Sequence, residues 1–164
     1  MATICFLCGL PSSGKTTLAK RLKKETGAIR LTLDERMIAK YDYSIHDDEY
    51  GRFSAQEKQL MWGEAQIFLD KGQDVILDWS LWSRTARLEW TQKVVSAGYD
   101  YKLFYLAVEL DTLKRRLAAR NAEVLATVHT ISLDELVRFS QIFEPPAASE
   151  NLNLEIVKQV PREA

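Results

Sequence analysis

One short segment constrains this chain more than any other. Gly9-Leu10-Pro11-Ser12-Ser13-Gly14-Lys15-Thr16 lies between an apolar run, Thr3–Cys8, and a helix-periodic segment, Lys15–Thr26, closed by Gly27. The pattern Gly-x-x-x-x-Gly-Lys-Thr arises by chance in roughly one chain of this length in two hundred. A buried strand before it and an amphipathic helix after it make chance a poor account. The physical reading follows from geometry. Gly9 and Gly14 let the backbone curl so that successive N–H groups converge on one anion. The helix beginning at Lys15 turns its positive end toward the same point. The loop residues Gly9, Pro11, Ser12, Ser13 and Gly14 are then expected to cradle the phosphates of ATP or GTP. Lys15 is expected to reach the β- and γ-phosphates, the Thr16 hydroxyl to bind Mg²⁺, and Thr17 to contact the α-phosphate.

The rest of the chain repeats the alternation. Apolar strand patterns fall at Ile29–Leu33, Asp74–Leu77, Tyr101–Val108 and Leu154–Val157. Helical patterns fall at Glu35–Lys40, from Ser54 to Lys71, at Ser83–Ala97, from Asp111 to about Asn121, and from Ser132 to about Phe143. Ser54 with Glu57, and Ser132 with Glu135, read as capping boxes, and Asp111 as a helix cap. Tyr41–Arg52 is acidic, aromatic and without a period, and reads as a loop. Strand-helix alternation of this kind predicts an α/β fold, a parallel sheet covered on both faces. No linker or internal repeat divides the chain, so residues 1–164 are expected to form one domain.

Two acidic residues follow predicted strands, Asp34 and Asp78. Ligands of open parallel sheets bind beyond the carboxyl ends of the strands, so both should face the nucleotide. Asp78 follows Val75-Ile76-Leu77 and is the candidate for Mg²⁺, directly or through water, or for orienting an acceptor. Asp34 is the better candidate for a base toward an acceptor hydroxyl. An ordinary helix cap is the competing reading of each. Lys114, Arg115, Arg116 and Arg120 lie on the helix after the fourth strand. Arg116 and Arg120 share a face, and a break at Asn121–Thr130 separates them from another helix. Helix, break and helix over about 115–135 read as a lid whose arginines meet phosphate charge, with Arg120 first and a solvated basic face as the alternative. On the acceptor side, Trp79, Trp82, Arg84 and Arg87, with Tyr41, Tyr43, His46, Tyr50 and Arg52, could overhang the site. The tryptophans could equally be core anchors. His129 lies in the lid break and reads as a surface residue or a weak site candidate.

Composition narrows the partners. The formal net charge of −1 supplies no general field for nucleic acid or an anionic membrane. Cys5 and Cys8 have no second Cys/His pair, and residues three apart on a strand face opposite ways. They read as buried strand residues rather than metal ligands. No apolar stretch is long enough to span a bilayer, and no signal peptide is evident, so a cytoplasmic location is expected.

Taken together, the quoted segments resemble one family. They are Gly-Leu-Pro-Ser-Ser-Gly-Lys-Thr-Thr-Leu-Ala, Leu-Thr-Leu-Asp34-Glu-Arg, Val-Ile-Leu-Asp78-Trp-Ser-Leu-Trp-Ser-Arg84-Thr-Ala-Arg87, Arg116-Leu-Ala-Ala-Arg120-Asn and Phe143-Glu-Pro-Pro. The family is that of small bacterial P-loop kinases filed among AAA-type ATPase domains. The chain is also similar to the kinase module of polynucleotide kinase, to chloramphenicol phosphotransferase and to zeta-type toxin kinases. The resemblance runs from Thr3 to about Val157. It implies a five-stranded parallel sheet in the order 2-3-1-4-5, ATP with Mg²⁺, and phosphoryl transfer to a hydroxyl. By the same match Asp34 corresponds to the base, Arg120 to the lid arginine, and Phe143–Pro146 to a segment near adenine. Polynucleotide kinases carry an arginine three residues after the base; here that position is Met37, with Arg36 beside it.

Three functions compete at this point. One is a kinase acting on a hydroxyl of a small molecule. A second is a 5′-hydroxyl polynucleotide kinase, which the charge and Met37 disfavour. The third is a nucleotide-dependent switch or ATPase with a protein partner, docking through Tyr41–Arg52.

Overall fold

The computed structural model describes residues 1–41, 49–123 and 130–158. Along the chain run β1 (Thr3–Cys8), α1 (Lys15–Thr26), β2 (Ile29–Thr32), α2 (Leu33–Tyr41), α3 (Tyr50–Leu69), β3 (Val75–Ser80), α4 (Arg84–Ser96), β4 (Asp100–Leu106), α5 (Leu110–Ala122), α6 (Leu133–Ile142) and β5 (Leu154–Val157). A 3-10 turn at Ala148–Glu150 precedes β5. The strands form one sheet in the order β2-β3-β1-β4-β5, and every adjacent pair is parallel. Parallel neighbours require long crossovers, which the helices supply.

Alternation along β1 divides the core. Ile4, Phe6 and Cys8 join Met61 and Ala65 of α3 and Trp90 of α4 on one face. Leu7 joins Leu18 and Ala19 of α1 on the other. The result is a three-layer sandwich with β1 at the centre of the sheet. A third cluster, Leu113, Leu117, Ile131 and Leu136, binds α5 to α6 and rests on Leu10 of the glycine loop. This is the helix pair that the sequence marks as a lid; residues 124–129 of the break lie outside the described residues.

One irregularity matters for the site. Phe6 pairs with Leu77, but Leu7 pairs with Ser80. Asp78 and Trp79 are the extra residues of a bulge, a device that bends a strand and re-aims its side chains. β3 therefore continues to Ser80 rather than stopping before Asp78.

Several boundaries differ from the sequence reading. Helix α3 starts at Tyr50, so Ser54 lies inside it and donates to the Gly51 carbonyl at 3.1 Å instead of capping. Glu57 is fully buried and accepts from Lys40 and the Tyr41 hydroxyl, so that capping box does not form. Asp111 sits in the first turn of α5, whose cap position, Glu109, makes no side-chain cap bond. Ser83 caps α4, and Ser132 with Glu135 forms the capping box of α6. The segment read as a loop has helical ends, since Tyr41 closes α2 and Tyr50 opens α3. Cys8 is buried and its thiol donates to the Leu81 carbonyl at 3.1 Å. Burial pushes both cysteine thiols up to about 11, which leaves them protonated and unreactive. Among the described residues, no group of three or more His, Cys, Asp or Glu could hold a metal, and no helix is long and apolar enough to cross a membrane.

Candidate nucleotide and acceptor site

The shape of the glycine loop follows from its own residues and their neighbours. A Cβ on Gly9 would meet the Ser13 hydroxyl oxygen at 2.7 Å and the Leu106 carbonyl at 3.2 Å, so only glycine fits without a shift. Gly14 precedes α1 with φ 101°, and Ser12 takes a left-handed φ of 65°. A non-glycine residue in that region holds local strain, which is common where a backbone is shaped for a ligand. The Gly9 carbonyl is a tie point. It accepts from Lys15 Nζ at 2.8 Å, Ser80 Oγ at 2.9 Å and the Trp82 indole N–H at 3.2 Å. Three donors from separate elements thus fix the turn.

Lys15 also donates to the Leu10 carbonyl at 2.8 Å. Burial lowers its pKa to about 8, while Asp78 and Asp34 pull the other way. Asp78 is 7% exposed. Its Oδ2 accepts from Arg30 Nε at 2.8 Å and Nη2 at 2.5 Å. Burial raises its pKa, and Arg30 and then Lys15 oppose the rise. Asp34 sits in the first turn of α2 rather than at its cap. It is exposed and makes no hydrogen bond or ion pair with a described residue. Its charge nonetheless bears on Lys15, Lys58 and Arg120.

These groups converge. A single cavity of about 860 Å³ is lined by Pro11, Ser12, Gly14, Lys15, Thr16, Thr17, Asp34, Asp78, Arg116 and Arg120. Gly9 and Ser13 are not among its lining residues. Arg116 Nη1 donates to the Ser13 carbonyl at 3.3 Å, which ties α5 to the loop. Among the described residues, Nε and Nη2 of Arg120 are buried without a partner, as are the hydroxyl oxygens of Ser12 and Ser13. Orphaned buried donors carry a free-energy cost that an anion removes. The donor set is cationic and hydroxyl-rich, and no acidic residue stands in the first turn of α1. The residues present therefore fit a polyphosphate. Thr16 and Asp78, both on the wall, supply the hard oxygen donors that Mg²⁺ takes.

The acceptor-side candidates separate. Trp79 packs on Trp90 at 5.0 Å and on Phe6 at 6.3 Å, so it is a core anchor whose edge also forms cavity wall. Trp82 lies against Phe139 at 5.0 Å and carries the loop's Gly9 bond. Tyr50 lines the cavity. Phe143 packs on Tyr105 and Trp82. Arg87, read as an overhanging cation, is instead fully buried and paired with Glu150 at 2.8 Å. Arg84 is directed to the carboxyl-terminal segment, where its backbone N–H meets Glu144 at 2.7 Å. Arg52 pairs with Glu49 at 2.6 Å on the surface, and the Tyr41 hydroxyl is bound to Glu57. Lys114 and Arg115 occupy the outer face of α5, pairing with Asp111 and Thr112. Tyr43, His46 and His129 lie outside the described residues. Lys20, Lys58 and Ser80 line the cavity without having been singled out, and Ser54, read only as a helix cap, lines it too.

The family described as AAA domain matches residues 4–146, most of the chain. The chain belongs to this family. Among solved structures, this AAA-domain chain is similar to Chaetomium thermophilum Kti12 in complex with ADP-AlF3, with 16% identity and a TM-score of 0.73 over 94% of this chain and 88% of that one. It is also similar to a gluconokinase from Sinorhizobium meliloti 1021, with 17% identity and a TM-score of 0.61 over 97% and 84%. A chain of the Pnkp1/Rnl/Hen1 RNA repair complex matches at 16% identity and a TM-score of 0.70, over 86% of this chain and 43% of that one. At such identities the likeness is one of fold, and the fold is that of P-loop kinases. No curated protein matches the sequence.

Proposed function

We propose that the chain is an ATP-dependent kinase that moves the γ-phosphoryl group of ATP to a hydroxyl of a small molecule. The observation that carries this reading is the cavity itself, which brings Lys15, Asp34, Asp78 and Arg120 to one space. Its size is that of a small-ligand site. Thr16 and Asp78 are the residues that would hold Mg²⁺, with Oδ2 of Asp78 engaged by Arg30. When bound, Mg²⁺ neutralises phosphate charge and orients the chain of phosphates. Lys15 and Arg120 meet the charge that develops on the transferred group. Asp34 takes the proton as the acceptor oxygen bonds to the γ-phosphorus and the bond to the β–γ bridging oxygen breaks, releasing ADP. The two helices over about 115–135 act as the lid of one domain. With Arg36 engaged by Glu64 on α3 and Met37 fully buried, neither offers a cation to an oligonucleotide. That favours a small acceptor over a polynucleotide. A cytoplasmic location suits an ATP-dependent enzyme with free thiols.

The test is a screen of hydroxylated metabolites, antibiotics and 5′-hydroxyl oligonucleotides for phosphate transfer from ATP with Mg²⁺. At least one small compound should accelerate ATP consumption and become phosphorylated. Asp34→Asn should then keep ATP affinity and lose roughly 10²–10⁴-fold in transfer. If no hydroxyl compound accelerates turnover while a protein partner co-purifies at stoichiometry, the switch reading replaces the kinase.

A further inference from the structure

Helix α3 carries one continuous stripe along its inner side. Tyr50, Ser54, Lys58, Met61, Ala65 and Leu69 follow one another at spacings of four and three, so they share a face. Met61, Ala65 and Leu69 lie in the core. Tyr50, Ser54 and Lys58 instead line the cavity. The stripe thus changes from apolar to polar where the helix passes from the sheet to the site, and the polar part includes an ammonium.

That ammonium is unusual. Among the described residues Lys58 has no hydrogen bond and no ion pair; its Nζ lies 6.0 Å from the centroid of the Trp79 ring. Burial lowers its pKa, and Asp34 is the charge that opposes this. Lys58 and Asp34 line the same cavity as Lys15, Arg116 and Arg120, but Lys58 stands on α3, not on the phosphate loop or α5. The phosphate loop already has Lys15, Arg116 and Arg120 on the cavity wall. A partly desolvated cation that no described residue pairs is costly until an anion meets it.

The geometry points to an acceptor that carries an anionic group, carboxylate or phosphate, besides the hydroxyl presented to Asp34, with Lys58 binding that anion. This rests on the kinase reading of the same site. Tyr50 stands two turns away on the same stripe and lines the same cavity.

Binding can be read without turnover. The phosphate loop is saturated with Mg²⁺ and a non-hydrolysable ATP analogue, and two matched series are titrated calorimetrically: glycerol, glycerate and glycerol 3-phosphate; glucose, gluconate and glucose 6-phosphate. In at least one series an anionic member should bind about tenfold or more tightly than the neutral one. Whether the carboxylate or the phosphate member does so identifies the group. Lys58→Met should abolish the preference, Lys58→Arg should keep most of it, and the analogue's own affinity should stay within about twofold in both. The inference is overturned if no anionic member is preferred, or if the preference survives Lys58→Met. It is also overturned if Lys58→Met weakens the analogue, which would place Lys58 on the nucleotide. Phosphorylation of a neutral acceptor with no anion preference would sink this inference and leave the kinase reading standing. A Lys58-dependent anion site in a chain that phosphorylates nothing would do the reverse.

Discussion

Arg120 and Asp78 differ in what surrounds them, and that difference yields separate predictions. The guanidinium of Arg120 has Nε and Nη2 buried without acceptors, and burial lowers its pKa while Asp34 pulls it back up. Such a group gains most when negative charge comes to it. If it meets the γ-phosphoryl, Arg120→Ala should slow transfer by about 10²-fold or more and change ADP affinity by less than about threefold. Equal losses in ADP binding and transfer would move Arg120 to the α- and β-phosphates. Asp78, by contrast, is a buried carboxylate with one oxygen already committed to Arg30. Asp78→Asn should weaken ATP binding at low Mg²⁺ and recover in part as Mg²⁺ rises, whereas Asp34→Asn should show no Mg²⁺ rescue. Titrating ATP across a Mg²⁺ series for both variants decides the assignment, and rescue of Asp34→Asn alone would mean that the two roles are exchanged. Both carboxylates and Arg120 were legible as neighbours of the phosphate loop because strand ends and that loop define one edge of a parallel sheet. Lys58 was not, because a lysine on a helix of mixed composition reads as solvated until the sheet shows which face is inward.

At the scale of elements, two stretches carry the same Ser-x-x-Glu pattern and do different things. Ser132 and Glu135 cap α6 reciprocally, at 2.8 and 3.2 Å. Ser54 and Glu57 do not, because α3 begins a turn earlier and Glu57 is recruited by groups from another helix, Lys40 at 2.9 Å and Tyr41 at 2.7 Å. The motif is local and the competing partners are not, so no window of sequence could separate the cases. Substitution can. Glutamine serves a capping box as well as glutamate does, so Glu135→Gln should change stability by no more than about 0.5 kcal/mol. Glu57 has a side chain that is 0% exposed and paired with Lys40, so Glu57→Gln should cost about 1–3 kcal/mol. Denaturant midpoints of the two variants test this, and equal costs would refute the assignment. Because α2 also carries Asp34 in its first turn, loosening its seat on α3 should lower acceptor turnover more than ATP affinity.

Across the whole molecule, the order of strands and helices followed from apolar runs separated by glycines, but the long-range polar ties did not. Arg87 shows why. Its sequence position, just past Asp78, suggests a substrate contact, yet its partner Glu150 lies far along the chain in the turn before β5. Arg87 donates to both Glu150 oxygens at 2.8 Å and to the carbonyls of Leu81 at 3.1 Å and Glu144 at 2.7 Å. One side chain thereby fastens α4, the strand exit above Cys8 and the segment that delivers the last strand. Arg87's hydrogen bonds hold the Glu150 carboxyl below the usual carboxylate range, against the effect of burial. The sign of the pH effect follows. A depressed folded pKa means that the unfolded chain binds the proton first, so this contribution is complete above the ordinary carboxylate range. It is lost as pH falls through that range to the lowered value. Glu150→Gln removes the charge and leaves a guanidinium that is 0% exposed without its counter-ion, which should cost about 3–5 kcal/mol near neutral pH. The variant should also lose stability less steeply than the wild type on acidification, since the amide that replaces the carboxyl does not titrate. A double variant, Arg87→Met with Glu150→Leu, should recover part of the loss, because two apolar groups need no partner. Urea unfolding of the three proteins from pH 7 down to pH 3 is the measurement. Parallel pH profiles for wild type and Glu150→Gln would mean that the pair contributes no net pH-dependent stability, and that the carbonyl bonds of Arg87 alone hold the carboxyl-terminal strand in place.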